Sequence, residues 1–554
     1  MRHFFSAFAV VLFCLSAGAQ EDARERGLRV INQDLIKGQL GFLSSDWTLG
    51  RGTGSEGEYM AGDYLASLFR IYGIKPGGDM PQLRSTGRMQ RNPGPRVTPE
   101  RSYFQEFNLV EYTPGEQQEF SIIQESKTGS SRQNFQYRTD FSVDVSDIGV
   151  DLTSSLVFVG YGLAMDSLQY NDFKGLDLKG KTIIRISGYP GVRDSASAAF
   201  KKFQPRDRAA TQALNEAKSN SARQSGAVAV IEITPGIDPS ASWASNVPFR
   251  FNTATYEGDK DPSQVYRQRM QEPGDSISAA LPRIILSPRA LKALLDGTGI
   301  DVKAFESAVS KTLKPASREI AGKKIQLVTS VKTRLVRTRN VIGIIEGEDT
   351  SKIIVAGGHY DHLGTRDGYI YNGADDNASG TVGVLSIARA FAASGIKPKY
   401  TMVFACWTAE EKGLIGSEHF VNKTYRPEEK ILLNLNYDMI SRNDDNDSLK
   451  NRCSMVYTKP FKVLEDLTRE NVKSNKLNLE VSFRPADKPR GGSDHTPFAE
   501  KGIPVMYFMA GFPEEYHTPY DHIEKVDIDK IVRITRLGYL NLFDIATGKV
   551  VLKK

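Results

Sequence analysis

Residues 352–411 decide the fold of this 554-residue chain and read KIIVAGGHYDHLGTRDGYIYNGADDNASGTVGVLSIARAFAASGIKPKYTMVFACWTAEE. Apolar runs at 352–358 and 400–407 predict two strands, and the apolar spacing over 380–394 predicts a helix between them. The alternation extends outward to further strands at 340–347, 431–438 and 503–509 and to a last helix at 527–547. Alternating strands and helices indicate an α/β fold with a mixed, largely parallel central sheet flanked by helices.

The chain before this alternation has a different character. Residues 56–72 have helical spacing with Ser55 as a cap, whereas 154–163, 180–191 and 227–233 are typical of strands and 207–224 of a helix. Two stretches, 82–101 and about 235–280, read as long loops. The middle of the chain has no histidine and no acidic pair in a recognisable site, so we expect an accessory module there.

Charge and length exclude some classes of protein. A single hydrophobic core rarely serves so long a chain, which favours two or more domains. The 72 basic and 66 acidic residues are intermixed and leave a formal charge of only +6. A nucleic-acid partner is therefore not expected.

The first twenty residues, MRHFFSAFAVVLFCLSAGAQ, have the layout of a secretory signal peptide that covers residues 1–19. The apolar run from Phe4 to Leu15 is shorter than the roughly 20 residues of a membrane span, so no stable membrane insertion is expected after cleavage. We expect an exported protein, periplasmic or secreted. Cys406 and Cys453 would then form either one disulfide or two buried thiols.

Histidines concentrate in the C-terminal part of the chain. Of seven, His3 lies in the predicted signal peptide, and the other six lie between His359 and His522. In VAGGHYDHLG, His359 ends an apolar strand, where open α/β sheets build their ligand crevices. Asp361 could accept a hydrogen bond from the far nitrogen of that imidazole, as partners of metal-bound histidines do.

Two acidic pairs follow. NGADDNASG places Asp375 and Asp376 before a helix, where one carboxylate would serve as a cap but two also fit a bridge between metals. WTAEEKGLIGSEH places Glu410 and Glu411 side by side after a strand. One glutamate is explained by the first turn of a helix, where an acidic side chain complements the helix dipole. If the segment instead belongs to a metal site, Glu411 would coordinate the metal and Glu410 would act as the general base that takes a proton from a metal-bound water.

Two further candidates complete a donor set. Asp438 ends the strand at 431–438, and His517 and His522 lie in the turn-rich EEYHTPYDHIEKVD, of which we expect at most one to be a ligand. Two imidazoles and three carboxylates suit a pair of zinc ions with an open position. HExxH and GxSxG motifs are missing from the sequence.

The order GGHYDHLG, GADDNASG, TAEEKGLIGSEHF, NYDMIS, GGSDHTPFAEKGIPV and YHTPYDH resembles metallopeptidase family 28, which contains di-zinc aminopeptidases, glutamate carboxypeptidases and glutaminyl cyclases. The resemblance implies a zinc-exopeptidase fold with two Zn²⁺ ions per chain and a peptide substrate. His359 and Asp438 would hold one zinc and Glu411 and His517 the other, with Asp376 as the bridge.

The same resemblance implies further roles. Glu410 matches the general base and Asp361 the partner of His359, while His495, in Ser493-Asp494-His495, would stabilise an oxyanion. His362, His419 and His522 match no ligand position. The expected activity is that of an aminopeptidase; a carboxypeptidase of the same family and an inactive peptide-binding protein stay open. A cyclase is disfavoured because five ligands suggest two metals.

The middle block resembles a protease-associated domain. This resemblance rests on the phrases VFVGYGL, YNDFKGLDLKGKTIIRISG and SGAVAVIEI. The expected organisation follows the chain: signal peptide 1–19, first part of the catalytic domain 20–145, β-rich protease-associated insert 146–290, linker helices 291–325 and main catalytic part 326–554. Oligomeric state has no signal in the sequence.

Overall fold

A computed structural model describes residues 22–553 except 82–99, 145, 207, 237–268, 276–279, 367, 424–429 and 444–446. The predicted signal peptide and most of the two predicted long loops therefore lie outside the described residues.

The helices, in chain order, are α1 Ala23–Val30, α2 Gln33–Leu43, α3 Glu56–Ile71, α4 Ala198–Phe203, α5 Arg208–Gln224, α6 Pro288–Leu295, α7 Val302–Thr312, α8 Gly380–Ser394, α9 Ile415–Lys423, α10 Val463–Ser474, α11 His495–Glu500 and α12 Ile528–Ala546. Short 3-10 turns cover Asp46–Arg51, Asp166–Leu168 and Ile523–Lys525, and a π turn covers Ala374–Ser379.

The strands are β1 Lys75–Pro76, β2 Phe104–Ser126, β3 Gly129–Phe135, β4 Phe141–Val143, β5 Val150–Phe158, β6 Ala164–Met165, β7 Tyr170–Asn171, β8 Thr182–Ile186, β9 Ala229–Ile233, β10 Arg269–Gln271, β11 Arg283–Leu286, β12 Arg318–Ile345, β13 Asp349–His359, β14 Gly364–Arg366, β15 Tyr369–Tyr371, β16 Tyr400–Trp407, β17 Ile431–Tyr437, β18 Arg452–Thr458, β19 Glu480–Ala486 and β20 Val505–Met509.

The chain forms two compact units. A composite unit combines residues 1–107 with 337–554, and a middle unit covers 108–336. In the composite unit the strand order is β19-β18-β20-β17-β13-β16-β12, with β1 on β12. Strands β16, β13, β17 and β20 are parallel, while β12 and β18 pair antiparallel with β16 and β20. The predicted mixed, largely parallel α/β fold is confirmed.

The core of the composite unit explains why strand β16 and helix α8 are so rich in apolar residues. Every residue of β16 is buried, and the helix α8 is buried almost all round. Central strands of a parallel sheet are covered on both faces, so they show continuous apolar runs instead of alternation. The side chain of Ser55 caps α3 by accepting from the amide of Glu58, as predicted.

The middle unit has its own core. Strands β5, β8, β9 and β11 pair parallel in that order, with β4 antiparallel on β11. The unit extends beyond the predicted insert 146–290 at both ends, because β2 and β3 on one side and α6, α7 and β12 on the other share its apolar cluster. The chain from Arg318 onward is strand, where linker helices were expected up to residue 325. Its assignment as a protease-associated domain stays a prediction.

Two smaller expectations concern cysteines and membranes. Cys406 in β16 and Cys453 in β18 are buried free thiols, so of the two alternatives the structure has the pair unbonded. None of the helices in the described part of the chain combines the length and hydropathy that a membrane crossing requires.

Candidate metal centre

Three neighbouring parallel strands deliver the predicted site residues to one edge of the sheet. His359 is the last residue of β13, Glu410 and Glu411 follow β16, and Asp438 follows β17. Strand β13 lies between β16 and β17. The carboxyl ends of parallel strands share an edge, so residues distant in sequence meet there.

Asp376 lies between two groups of side chains. Its Oδ1 is 3.4 Å from His359 Nε2, which is also 3.4 Å from Asp438 Oδ1. Its Oδ2 is 3.1 Å from His517 Nε2, which is 3.2 Å from Glu411 Oε2. The two oxygens of one carboxylate thus face two different histidine and carboxylate pairs, the arrangement of a bridging ligand.

His362 also reaches the second group, which the sequence did not predict. Its Nδ1 lies 2.8 Å from Glu411 Oε1 and 3.9 Å from Asp376 Oδ2, and the residue is fully buried. His359, Asp376 and Asp438 form one potential metal-binding group, and His362, Asp376 and Glu411 form another. The sequence HYDH does contain this second histidine. However, His362 lies three residues beyond the end of β13, and this spacing does not reveal where its imidazole points.

The donor atoms fit metal ions. Ligand atoms about 2.0–2.1 Å from a tetrahedral ion lie roughly 3.3 Å apart. The separations among Asp376, His359 and Asp438, both 3.4 Å, and among Asp376, His517 and Glu411, 3.1 and 3.2 Å, are close to this value. Two of these atoms, His359 Nε2 and Asp438 Oδ1, are buried without a hydrogen-bond partner among the described residues. Although burial lowers it, the carboxylates of Glu411 and Asp376 raise the pKa of His517 to about 10. The neighbouring carboxylates thus favour a positive charge at this position.

Glu410 stands beside the two groups. Its Oε2 is 3.9 Å from His359 Nε2, and its amide donates to Asp361 Oδ1 at 3.1 Å. The two glutamates lie in a turn before α9, not in a first helical turn. Burial, opposed in part by His359, raises the pKa of Glu410 well above its ordinary value. Such a carboxyl is suited to exchanging protons with a substrate.

Asp361 contacts His359 less directly than expected. The closest contact of His359 Nδ1 is the main-chain oxygen of Asp361 at 3.1 Å, and the carboxylate oxygen is 3.7 Å away. The Asp361 carboxylate instead accepts from Thr53 Oγ1 at 2.9 Å and from the amide of Glu410. Asp361 therefore joins the segment of His359 to that of Glu410.

The loop that carries Asp376 is tied to the segment of Asp438. Asp375 Oδ1 accepts from the amide and hydroxyl of Ser441, at 3.0 and 2.5 Å. The Asn377 side chain donates to Tyr437 O at 2.9 Å and accepts from the amide of Met439 at 3.2 Å. Both neighbours of Asp438 are thereby held. Asp375, the carboxylate that the resemblance did not choose as the bridge, contacts Ser441.

The remaining histidines differ in their surroundings. His495 is fully buried and stacks on Tyr507 at 4.2 Å, and neither ring nitrogen has a hydrogen-bond partner within the described chain. Burial lowers its pKa to about 3, so the ring is neutral. His419 stacks on Phe107 at 4.1 Å, and His522 precedes the turn Ile523–Lys525.

Tyr516 was missed by the sequence reasoning. Its ring stacks on His517 with centroids 3.8 Å apart, and Phe512 contacts it edge-on at 5.2 Å. Burial raises the pKa of Tyr516, so its hydroxyl stays protonated. Adjacency to His517 was the one available signal.

Comparison with known proteins agrees with this geometry. Residues 340–540, which carry every predicted ligand, match the sequence model of peptidase family M28. This M28 segment makes up just over a third of the chain. The M28 segment starts in β12 and ends in α12, so it contains all the strands whose carboxyl ends form the site.

Curated relatives are similar to this chain over different lengths. A glutamate carboxypeptidase 2 homolog of Caenorhabditis elegans is 27% identical over 428 residues, 68% of this chain and 52% of that protein. Aminopeptidase YwaD of Bacillus subtilis is 29% identical over 204 residues, 35% of this chain and 42% of that protein. The chain thus spans about half the length of the first of these relatives.

A solved structure shares the fold over nearly the whole chain. The aminopeptidase from Aneurinibacillus sp. strain AM-1 matches with a TM-score of 0.57 at 20% identity, covering 96% of this chain and 98% of that one. At this identity the likeness shows a shared fold and nothing further.

Proposed function

We propose that this protein is a zinc-dependent exopeptidase with two zinc ions, and that it acts as an aminopeptidase on peptides. One observation carries the proposal: the two oxygens of Asp376 face separate pairs, His359 with Asp438 and His517 with Glu411. The match of residues 340–540 to the M28 family model and the relatives named as peptidases support the same function.

The bound metals would supply Lewis acidity for a peptide carbonyl and would lower the pKa of a water. Glu410 then takes the proton of the attacking water and delivers it to the leaving amine. The amide contact to Asp361 holds the turn on which Glu410 lies. His495 remains our candidate for stabilising the oxyanion, through an N–H of its neutral ring.

The rival activity is that of a carboxypeptidase of the same family. It is favoured by the glutamate carboxypeptidase 2 homolog, which aligns with 68% of this chain. A panel of aminoacyl substrates and of peptides blocked at the amino terminus separates the two. We expect cleavage only where the amino terminus is free, and full loss with a chelator. Cleavage of amino-blocked peptides from the carboxyl end would instead establish the rival.

The substitution Glu410→Gln tests the proton-transfer role. The amide is nearly isosteric but cannot accept the proton, so we expect two zinc ions per chain and a turnover reduced at least about a hundredfold. Elemental analysis and initial rates give both quantities. Glu411→Gln is the matched control, because loss of a ligand should lower the zinc content as well. Wild-type turnover in Glu410→Gln would overturn the assignment, and a zinc-free, inactive wild type would favour the binding-protein alternative.

Export is part of the proposal. It is supported by the basic start, apolar run and small residues of 1–19, which lie outside the described residues.

A further inference from the structure

The turn before α3 has an unusual backbone. Leu49, Gly50 and Arg51 have φ angles of 48°, 68° and 50° in succession. A side chain at position 50 would meet the carbonyl oxygens of Gly364 and Tyr371 at 2.5 and 2.6 Å, so glycine is required there. A non-glycine residue in this region is strained and persists where other contacts compensate.

The compensating contacts come from the side chain of Arg51. It is fully buried, yet it forms no direct ion pair among the described residues and donates to four main-chain oxygens. Nε donates to Tyr360 O at 2.7 Å, Nη1 to Leu43 O and to Asn372 O at 2.6 Å, and Nη2 to Gly373 O at 2.9 Å. Four of the five guanidinium N–H groups are therefore used.

Three of these four oxygens belong to the segments that hold the predicted ligands, and the fourth, Leu43 O, lies at the end of α2. Tyr360 follows His359 directly, and Asn372 and Gly373 precede Asp376. The main chain of Arg51 adds a contact, since its oxygen accepts from the amide of His362 at 3.0 Å. One buried side chain thus fixes the spacing between two ligand-bearing loops.

Asp521 holds the second of these loops from its amide side. Its carboxylate accepts from the amides of Asp375 at 3.0 and 3.1 Å and of Asp376 at 3.0 Å, and its main-chain oxygen accepts from Ala374 at 3.1 Å. The loop 372–376 therefore offers its oxygens to the Arg51 guanidinium and its amides to the Asp521 carboxyl group. Asp521 is also almost fully buried, at 1% exposure.

We propose that Arg51 and Asp521 form a backbone clamp that positions the Asp376 carboxylate between the two metal positions. The clamp rests on the proposed function, because it acts through the metal ligands. Both side chains bond to the main chain of the ligand-bearing segments, so we assign them as positioning residues. Loss of such outer contacts typically lowers metal affinity by about 10–100-fold.

The positive charge of Arg51 has a second effect. Burial lowers the pKa of Arg51 to about 10, while Asp521, Asp361 and Asp376 oppose this change. The guanidinium thus stays charged at neutral pH and adds positive potential beside a group of carboxylates. An apolar replacement would remove that potential together with the four hydrogen bonds.

The test measures zinc affinity of metal-free protein by competition with a chelating indicator. We expect Arg51→Met and Asp521→Asn each to raise the zinc dissociation constant about 10–100-fold, and Arg51→Lys to raise it less, since the ammonium keeps the charge and some donors. Because both residues hold the same loop, the double variant should raise the zinc dissociation constant by less than the product of the two single increases.

Arg339→Met is the matched control. Arg339 is buried in the same unit, donates to Tyr59 O and Asp63, and stacks on Phe104, so its loss should destabilise folding without changing zinc affinity. Urea unfolding compares the stabilities. If Arg51→Met fails to fold, Arg51→Lys and Asp521→Asn decide the question.

Wild-type zinc affinity in the folded Arg51 and Asp521 variants would overturn the clamp, as would an equal loss in Arg339→Met. These outcomes do not depend on peptide hydrolysis. A protein that binds zinc through the clamp but cleaves no peptide would refute the proposed function alone.

Discussion

Glu58 is a carboxylic acid buried without solvent exposure in the first turn of α3. It accepts from the amide of Gly54 at 2.6 Å and from the hydroxyl of Thr338 at 2.9 Å, and Thr408 donates to it as well. Thr408 lies two residues before Glu410. Burial raises the pKa of Glu58 to about 8, although these hydrogen bonds lower it.

The raised pKa predicts how stability changes with pH. Between about 4.5 and 8 the folded protein keeps the proton of Glu58 and the unfolded chain releases it, so the free energy of unfolding falls as pH rises. The slope is at most about 1.4 kcal/mol per pH unit. Glu58→Gln cannot titrate. We expect its stability relative to wild type to increase from pH 5 to pH 8 in urea unfolding of metal-free protein.

Glu56→Gln provides the control, since Glu56 lies in the same helical turn but is exposed. Its stability difference from wild type should stay nearly constant over this range. A constant difference for Glu58→Gln would mean that Glu58 is ionised in the folded protein.

At the scale of elements, α3 packs closely on the turn that carries Arg51. A methyl group on Gly57 would lie 1.9 Å from Thr48 O, so glycine lets the helix approach the turn Asp46–Arg51. This approach is independent of helix propensity, which favours alanine over glycine.

Two glycine substitutions separate these effects. Gly57→Ala should destabilise the protein by roughly 1–3 kcal/mol, because a buried backbone atom must move. Gly38→Ala in α2 should stabilise it by up to about 1 kcal/mol, since Gly38 is exposed and nothing lies within 4 Å of the added methyl. Denaturant midpoints measure both. Equal effects of the two substitutions would contradict the close packing of α3.

At the scale of the molecule, every proposed ligand lies in the composite unit. Zinc that binds only the folded state stabilises it by about 2.7 kcal/mol at a hundred times its dissociation constant. We expect added zinc to slow amide hydrogen exchange in β13, β16 and β17 of metal-free protein and to leave β8 and β9 unchanged. Mass spectrometry of peptic peptides measures this exchange. Equal protection in both units would place the metal effect elsewhere.

The sequence predicted the helices and strands better than it predicted the boundaries between domains. Strand β16 and helix α8 occur where their apolar runs predict them, because a fully buried element needs apolar residues at every position. The middle unit is longer than expected. Strand β2 pairs with the distant strands β10 and β12, and β3 joins the core through its hairpin with β2. Pairing between distant strands leaves no period in the local sequence.

The sequence by itself determined the α/β fold and the ligand types, since burial and strand ends constrain neighbouring residues. Which side chains meet was decided only by the tertiary structure. His362 lies 2.8 Å from Glu411 and Arg51 bonds to Gly373, contacts that join residues 49 and 322 positions apart. Such contacts depend on the packing of loops from separate strands, and the geometry of that packing is a property of the whole fold.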